Sequence, residues 1–300
     1  MSDTMLTPAA ATTAAACHPD DAAFQPFHLV NAGADAPVVL LCDHACAALP
    51  PGHGTLGLPP MDLERHIAWD IGAADVTRRM AALLDAPAVL CGFSRLLIDP
   101  NRGADDPTLV MKLSDGAIIP GNAHADAAEV ARRRQAYWQP YQAAVTAAID
   151  RLIGAGRVPA LVSIHSFTPV WRGRPRPWHA GILWDRDPRL PRPLLAALRG
   201  EPGLVVGDNE PYSGRLHGDT LYRHGTARGL AHALVEIRQD LIDTHHGAQE
   251  WAERLARITA AALAQDPDIN RVTFFGSHTD QTAREMGRET GREPGRGPEQ

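Results

Sequence analysis

The stretch Leu161-Val162-Ser163-Ile164-His165-Ser166-Phe167 decides how the chain is read. The apolar run from Ala160 to Ile164 has the length of a buried strand, and a histidine stands where that strand should end. Ends of this kind are where open α/β sheets hold their ligands. Working outward, the same grammar recurs: Pro37 to Cys42 is a second apolar run that delivers Asp43-His44. A third, Ala233-Leu234-Val235, leads into Glu236-Ile237-Arg238-Gln239-Asp240. Two imidazoles and carboxylates at converging strand ends suit a hydrolytic metal site.

Between these runs the chain alternates short apolar segments with helical periodicity. Strands are expected at Ala88 to Cys91, Leu96 to Ile98, Gly181 to Trp184 and Leu204 to Val206. Helices are expected over Ile71 to Leu84, Ala125 to Ile153, Pro188 to Leu198 and Gln249 to Ala264, with Arg132-Arg133-Arg134 on a solvated face. That alternation predicts an α/β fold whose mainly parallel sheet is covered on both faces; strand order cannot be read from it. Pro- and Gly-rich segments at Ala47 to Pro60, Asp105 to Gly121 and Asp208 to Gly214 read as loops. The Arg- and Trp-rich segment Thr168 to Trp178 is placed to wall a pocket. Residues 1–27 read as a flexible lead-in, 28–275 as one catalytic domain and 276–300 as a disordered tail.

With 44% hydrophobic and 21% charged residues and a net charge of -6, the 300-residue chain has the balance of a soluble enzyme. A nucleic-acid partner, which usually calls for a basic excess, is not expected. No apolar run reaches the roughly 18 residues of a membrane helix, and Met1-Ser2-Asp3-Thr4 lacks a secretory basic region, so the expectation is a cytoplasmic protein. Cys17, Cys42, Cys46 and Cys91 form no CxxC pair, which points to reduced thiols. Cys42 and Cys46 flank His44 and could be imagined as thiolate ligands, but Cys42 belongs to a buried run where cysteine serves as a small hydrophobe.

Asn101-Arg102 follow a sharp break at Asp99-Pro100. The planar guanidinium fork matches a carboxylate, and the adjacent amide adds donors, so the pair can hold an acidic amino acid. Arg95 is a second such cation, and for either arginine, Arg102 or Arg95, a structural ion pair with Asp99 or Asp43 is the other reading. Arg238 could orient Glu236 or bind substrate. Ser166 lies in no Gly-x-Ser-x-Gly elbow, and no phosphate-cradling glycine loop occurs, so neither a serine nucleophile nor a nucleotide cofactor is expected.

Taken together, several pieces make a specific pattern. They are Cys42-Asp43-His44-Ala45, Arg65 to Gly72, Ser94-Arg95-Leu96 with Asp99-Pro100-Asn101-Arg102, Ser163 to Phe167 and Glu236 to Asp240. Over Val38 to Ile242 the chain resembles the N-formylglutamate amidohydrolase family, itself distantly similar to zinc carboxypeptidases and aspartoacylase. The resemblance implies a three-layer α/β/α fold and one Zn2+ on two histidines, His44 and His165, and an acidic residue. The distant relatives take that acid three residues after the first histidine, where this chain has Ala47. Because the relatives' carboxylate directly precedes a helix, Asp70 is the nominee, with Glu64 its substitute and His66 a further candidate; Asp70 as a helix cap is the plain alternative.

The resemblance further implies Glu236 as the general base that later protonates the leaving amine, its other reading being a partner for Arg238 or another arginine. It also implies Asn101-Arg102 as the holder of the substrate carboxylate. Arg95, Arg238 and His224 complete the expected substrate contacts, His224 being also the reserve base. The expected reaction is hydrolysis of an N-formyl or small N-acyl acidic amino acid, N-formylglutamate to formate and glutamate. Another N-acyl amino acid or short peptide is the runner-up substrate, and a non-catalytic carboxylate-binding protein is the rival from another class. Oligomeric state is not legible.

Overall fold

The computed structural model describes residues 24–280. The expected lead-in and tail therefore fall largely outside the described residues. Of them, Phe27 opens a strand, and Ser277 is buried with its hydroxyl on Asp185 at 2.6 Å. Cys17 also lies outside.

A seven-stranded sheet carries the fold. Its strands are β1 (Phe27–Val30), β2 (Val38–Cys42), β3 (Ala88–Cys91), β4 (Ala160–Phe167), β5 (Ala180–Leu183), β6 (Val206–Asp208) and β7 (His232–Arg238), in the order β1-β3-β2-β4-β7-β5-β6. β3, β2, β4 and β7 run parallel; β1 is antiparallel at one edge, and β5 with β6 is reversed at the other. Strands buried on both faces need apolar side chains throughout, which is why β2 reads VVLLC without alternation.

One face packs on α1 (Ala73–Leu84), α4 (Pro191–Arg199) and α6 (His245–Gln265), using the even-numbered β4 residues Val162 and Ile164. The other packs Leu161, Leu41 and Leu234 against α3 (Gln139–Gly154), which continues α2 (Ala127–Arg133) through a π-helical turn, Arg134–Trp138. The α/β/α layering is thus as expected. Between β6 and β7 lies the short α5 (Thr220–His224). No described helix is long and apolar enough to cross a membrane.

Three local expectations need correction. Leu96 to Ile98 is a buried turn and not a strand. Its carbonyls are met by side chains instead of a ladder: Asn122 Nδ2 donates to Leu96 O at 2.7 Å and Arg133 Nη1 to Leu97 O at 2.8 Å. Arg133 is accordingly buried, with Nε also on Glu129 at 2.7 Å, so the three-arginine run is not one solvated face. His165 does not end its strand, because β4 continues through Phe167, whereas His44 stands two residues beyond β2.

Candidate metal centre and active site

His165 and Glu236 are opposite one another in the parallel β4–β7 ladder and therefore share a sheet face. Asp43-His44 leaves β2, the strand on the other side of β4, toward the same end. Asp70 reaches them from the segment before α1. Its backbone N–H donates to the carbonyl of His44 at 2.9 Å, clipping the two segments together. The turn into α1 then needs Gly72, at φ 81°, where a Cβ would stand 2.2 Å from the carbonyl oxygen of Ile242.

The result is a compact buried group. Oδ2 of Asp70 lies 2.8 Å from His165 Nδ1 and 3.2 Å from His44 Nδ1, and the three donor atoms lie within 4.8 Å of one another. Asp70 does not cap α1: its carboxylate also accepts from Ser166 N–H at 3.3 Å and faces Arg95 Nη1 at 3.4 Å, and the helix has no side-chain cap.

Each imidazole is gripped from behind. His44 Nε2 meets Asp99 Oδ1 at 2.8 Å, and His165 Nε2 meets Asp43 Oδ2 at 3.1 Å. Asp43 in turn accepts from Tyr141 OH at 2.8 Å, Thr220 Oγ1 at 2.8 Å and Ser163 Oγ at 3.0 Å. Asp99 is held by Arg95 Nη2 at 3.1 Å and by the Asn101 N–H at 2.9 Å. A carboxylate on the far nitrogen fixes both the ring's orientation and its tautomer, the usual arrangement behind a metal-ligating histidine.

The electrostatics agree with a cation site. Asp43, Asp70, Asp99 and Glu236 are four buried carboxylates facing two guanidiniums, Arg95 and Arg102. A divalent ion closes that deficit with both imidazoles neutral. With protein groups alone, His165 carries part of the balancing charge. Burial would lower the His165 pKa, but its bonds to Asp43 and Asp70 raise it to about 10. Burial likewise opposes ionisation of Asp70 and Asp99, yet the two imidazoles beside Asp70, and His44 with Arg95 beside Asp99, hold both below the ordinary carboxylate range. Neither Cys42, whose thiol burial pushes far up, nor Cys46 belongs to the donor group.

Glu236 differs from the other three carboxylates. Burial raises it to about 7, and its Oε2 is buried without a hydrogen-bond partner, so the pairing with Arg238 expected as its other reading is absent. It lines a cavity of about 460 Å3 together with His44, Asp70, His165, Arg95, Asn101 and Arg102.

The other expected residues divide between the cavity and its surroundings. Glu64 is exposed at the end of a short turn, away from the donor group. His66 lines the cavity, but its Nε2 faces Asp115 Oδ2 at 3.2 Å. Arg238 is engaged by Asp240 at 2.7 Å and by the carbonyls of Arg176 and Trp178, outside the cavity. His224 is buried on Gln142 Oε1 at 2.7 Å, also outside it, and burial lowers its pKa to about 4. Arg95 takes its ion-pair reading with Asp99, shared with Asp70, while still lining the cavity. Sequence reasoning passed over Tyr212, Gln239 and Leu216, which reach the cavity from loops and a strand end without any periodic signal. Thr168 and Trp171 do wall the pocket, as their irregular segment suggested.

The family model for N-formylglutamate amidohydrolase matches residues 36–243. The solved structure of gene product Atu2144 from Agrobacterium tumefaciens is 38% identical, with a TM-score of 0.76 over 79% of this chain and 94% of that one. That of N-formylglutamate amidohydrolase from Ralstonia eutropha JMP134 is 23% identical, with a TM-score of 0.61 over 80% of this chain and 97% of that one; at that identity the likeness concerns the fold. No curated protein matches the chain.

Proposed function

Since the chain belongs to the N-formylglutamate amidohydrolase family, we propose that it is a metal-dependent amidohydrolase that cleaves the acyl group from an N-acyl amino acid, with His44 Nδ1, Asp70 and His165 Nδ1 holding one Zn2+. Two imidazoles and a carboxylate are a common catalytic zinc set, and such an ion supplies Lewis acidity at the amide carbonyl and lowers the pKa of water to about 7.

The observation that carries the reading is Glu236. A carboxylate buried in the cavity with an unpartnered oxygen is costly to keep, and a pKa near 7 suits a group that must both take and return a proton. Glu236 accepts the proton of the attacking water and delivers it to the nitrogen as the C–N bond breaks, so the acyl group leaves as an acid and the amino acid with a free amine. Arg102 and Asn101 receive the substrate's carboxylate. Arg95, tied to Asp70 and Asp99, keeps those carboxylates in place.

Glu236→Gln preserves shape but cannot take a proton. Turnover should fall by about 10²–10⁴-fold while zinc content and KM stay near wild type. Wild-type kcat in that variant would remove Glu236 from the chemistry. If the wild-type protein neither retains zinc nor hydrolyses any N-formyl, N-acetyl or N-succinyl amino acid when zinc is supplied, the carboxylate-binding reading replaces this one.

A further inference from the structure

Strand order divides the cavity into two unlike halves. Arg95, Asn101 and Arg102 come from the segment leaving β3, and His44 and His165 stand on the next two strands, β2 and β4. Beyond them lie β7 and then β5, where Leu234 and Leu183 are directly opposite in register, on the same face as Glu236. Both leucines are almost wholly buried and line the cavity. Leu216 and Tyr212 complete this side, yet they remain 39% and 44% exposed. An apolar wall open to water beside a catalytic carboxylate is a surface for something to cover.

That wall is built to stay in place. Asn209 Oδ1 accepts from the N–H groups of Trp184 at 3.1 Å and Gly214 at 2.8 Å, mooring the loop that carries Tyr212 to the end of β5. Gly181 has no room for a side chain, because a Cβ there would stand 1.8 Å from the Glu210 carbonyl oxygen. The Arg176 guanidinium lies 5.6, 5.2 and 5.0 Å from the ring centres of Phe167, Trp171 and Tyr212, and its Nη1 donates to Tyr212 OH at 2.9 Å. A cation at such distances holds aromatic faces together.

A substrate whose carboxylate sits at Arg102 and whose amide carbonyl reaches the His–Asp–His group must project its acyl group over β7 and β5. We propose that this enzyme is built for N-acyl amino acids with a bulky apolar or aromatic acyl group, larger than formyl. The inference rests on the amidohydrolase reading and deepens it. Formyl has no atoms to place on Leu183, Leu216 and Leu234. The cavity of about 460 Å3 also falls within the roughly 300–1,000 Å3 of sites that take drug-sized ligands, which exceed a formylated amino acid.

The test holds the amino acid constant as L-glutamate and varies the acyl group through formyl, acetyl, hexanoyl and phenylacetyl, with zinc supplied. A single methylene in an apolar pocket is worth roughly 10–200-fold in kcat/KM, so phenylacetyl or hexanoyl should exceed formyl by at least about tenfold. Leu183→Trp, which fills the apolar side, should lower the phenylacetyl-to-formyl ratio by about tenfold or more; Leu234→Phe serves if the first variant fails to fold. Formyl preferred or equal, or a ratio unmoved in a folded variant, overturns the proposal while leaving the amidohydrolase reading intact. So does faster cleavage of N-formyl-L-phenylalanine than of phenylacetylglutamate, since the apolar half would then hold the amino-acid side chain. No cleavage of any member overturns this proposal, and the amidohydrolase reading falls with it if N-formyl, N-acetyl and N-succinyl derivatives of other amino acids are also left intact.

Discussion

Asp43→Asn tests whether the imidazoles are held for a cation. Oδ1 of Asp43 accepts from Tyr141 OH and Thr220 Oγ1, both at 2.8 Å, and Oδ2 meets His165 Nε2 at 3.1 Å. An asparagine that keeps its oxygen toward Tyr141 and Thr220 turns its NH2 toward His165 Nε2. Two donors then face each other unless the ring moves its proton to Nδ1, the nitrogen that faces Asp70 and the proposed ion. Either way a hydrogen bond to a charged group, worth about 1.5–3 kcal/mol, is lost from the metal-competent tautomer. At about 1.4 kcal/mol per tenfold, zinc affinity should weaken roughly 10–100-fold, in line with other replacements behind metal-ligating histidines. Competition with a chromophoric chelator at neutral pH measures this directly, with thermal unfolding run in parallel to establish that the variant is folded. Ser163→Ala, which removes the neutral 3.1 Å contact of its hydroxyl with His165 Nε2 along with its bond to Asp43 and leaves the Asp43–His165 bond in place, should change the affinity much less. A folded Asp43→Asn protein that binds zinc within about twofold of wild type would refute the reasoning.

Further outcomes follow from the site's wiring. Arg102→Ala should raise KM with little change in kcat, because a carboxylate contact is similar in ground and transition states. Arg238→Ala should leave KM unchanged, its guanidinium being engaged by Asp240 outside the cavity; steady-state kinetics of the pair decide between them. Asp219 is buried, caps α5 by accepting from Tyr222 N–H at 2.6 Å, and is raised by burial to about 7. A raised folded-state pKa gives a stabilising contribution that is full below the unfolded value near 3.8 and lost as pH rises through about 7. Asp219→Asn keeps the cap without the buried charge, so its stability relative to wild type should grow between pH 4 and 8 by an amount on the order of 2–4 kcal/mol. Equal denaturation free-energy differences at the two pH values would show that the Asp219 pKa is not raised in the folded protein.

Much of the frame was legible because burial leaves a local record. The unbroken apolar runs of β2, β4 and β7 could be assigned without knowing their neighbours, and each carried its polar residue, His44, His165 or Glu236, to the same end of the sheet. Asp70 was nominated from its place before a helix, which is local as well. Leu96 to Ile98 misled for the same reason: a short apolar run records that it is buried and not which partners meet its carbonyls, and Asn122 and Arg133 do so from the distant α2 region.

What the chain alone determined, then, is the layer pattern and the residue types at the strand ends, because side-chain periodicity is written every two to four residues. Tertiary structure alone decided the rest. Strand order is set by pairing between segments more than a hundred residues apart, as in β2 with β4, and it separates the arginines from the leucines across the cavity. It also set which nitrogen of each histidine faces Asp70 and which faces Asp43 or Asp99, left Glu236 Oε2 without a partner, and turned Arg238 and His224 away. These are matters of direction and distance between side chains brought together by folding, and no local pattern encodes them.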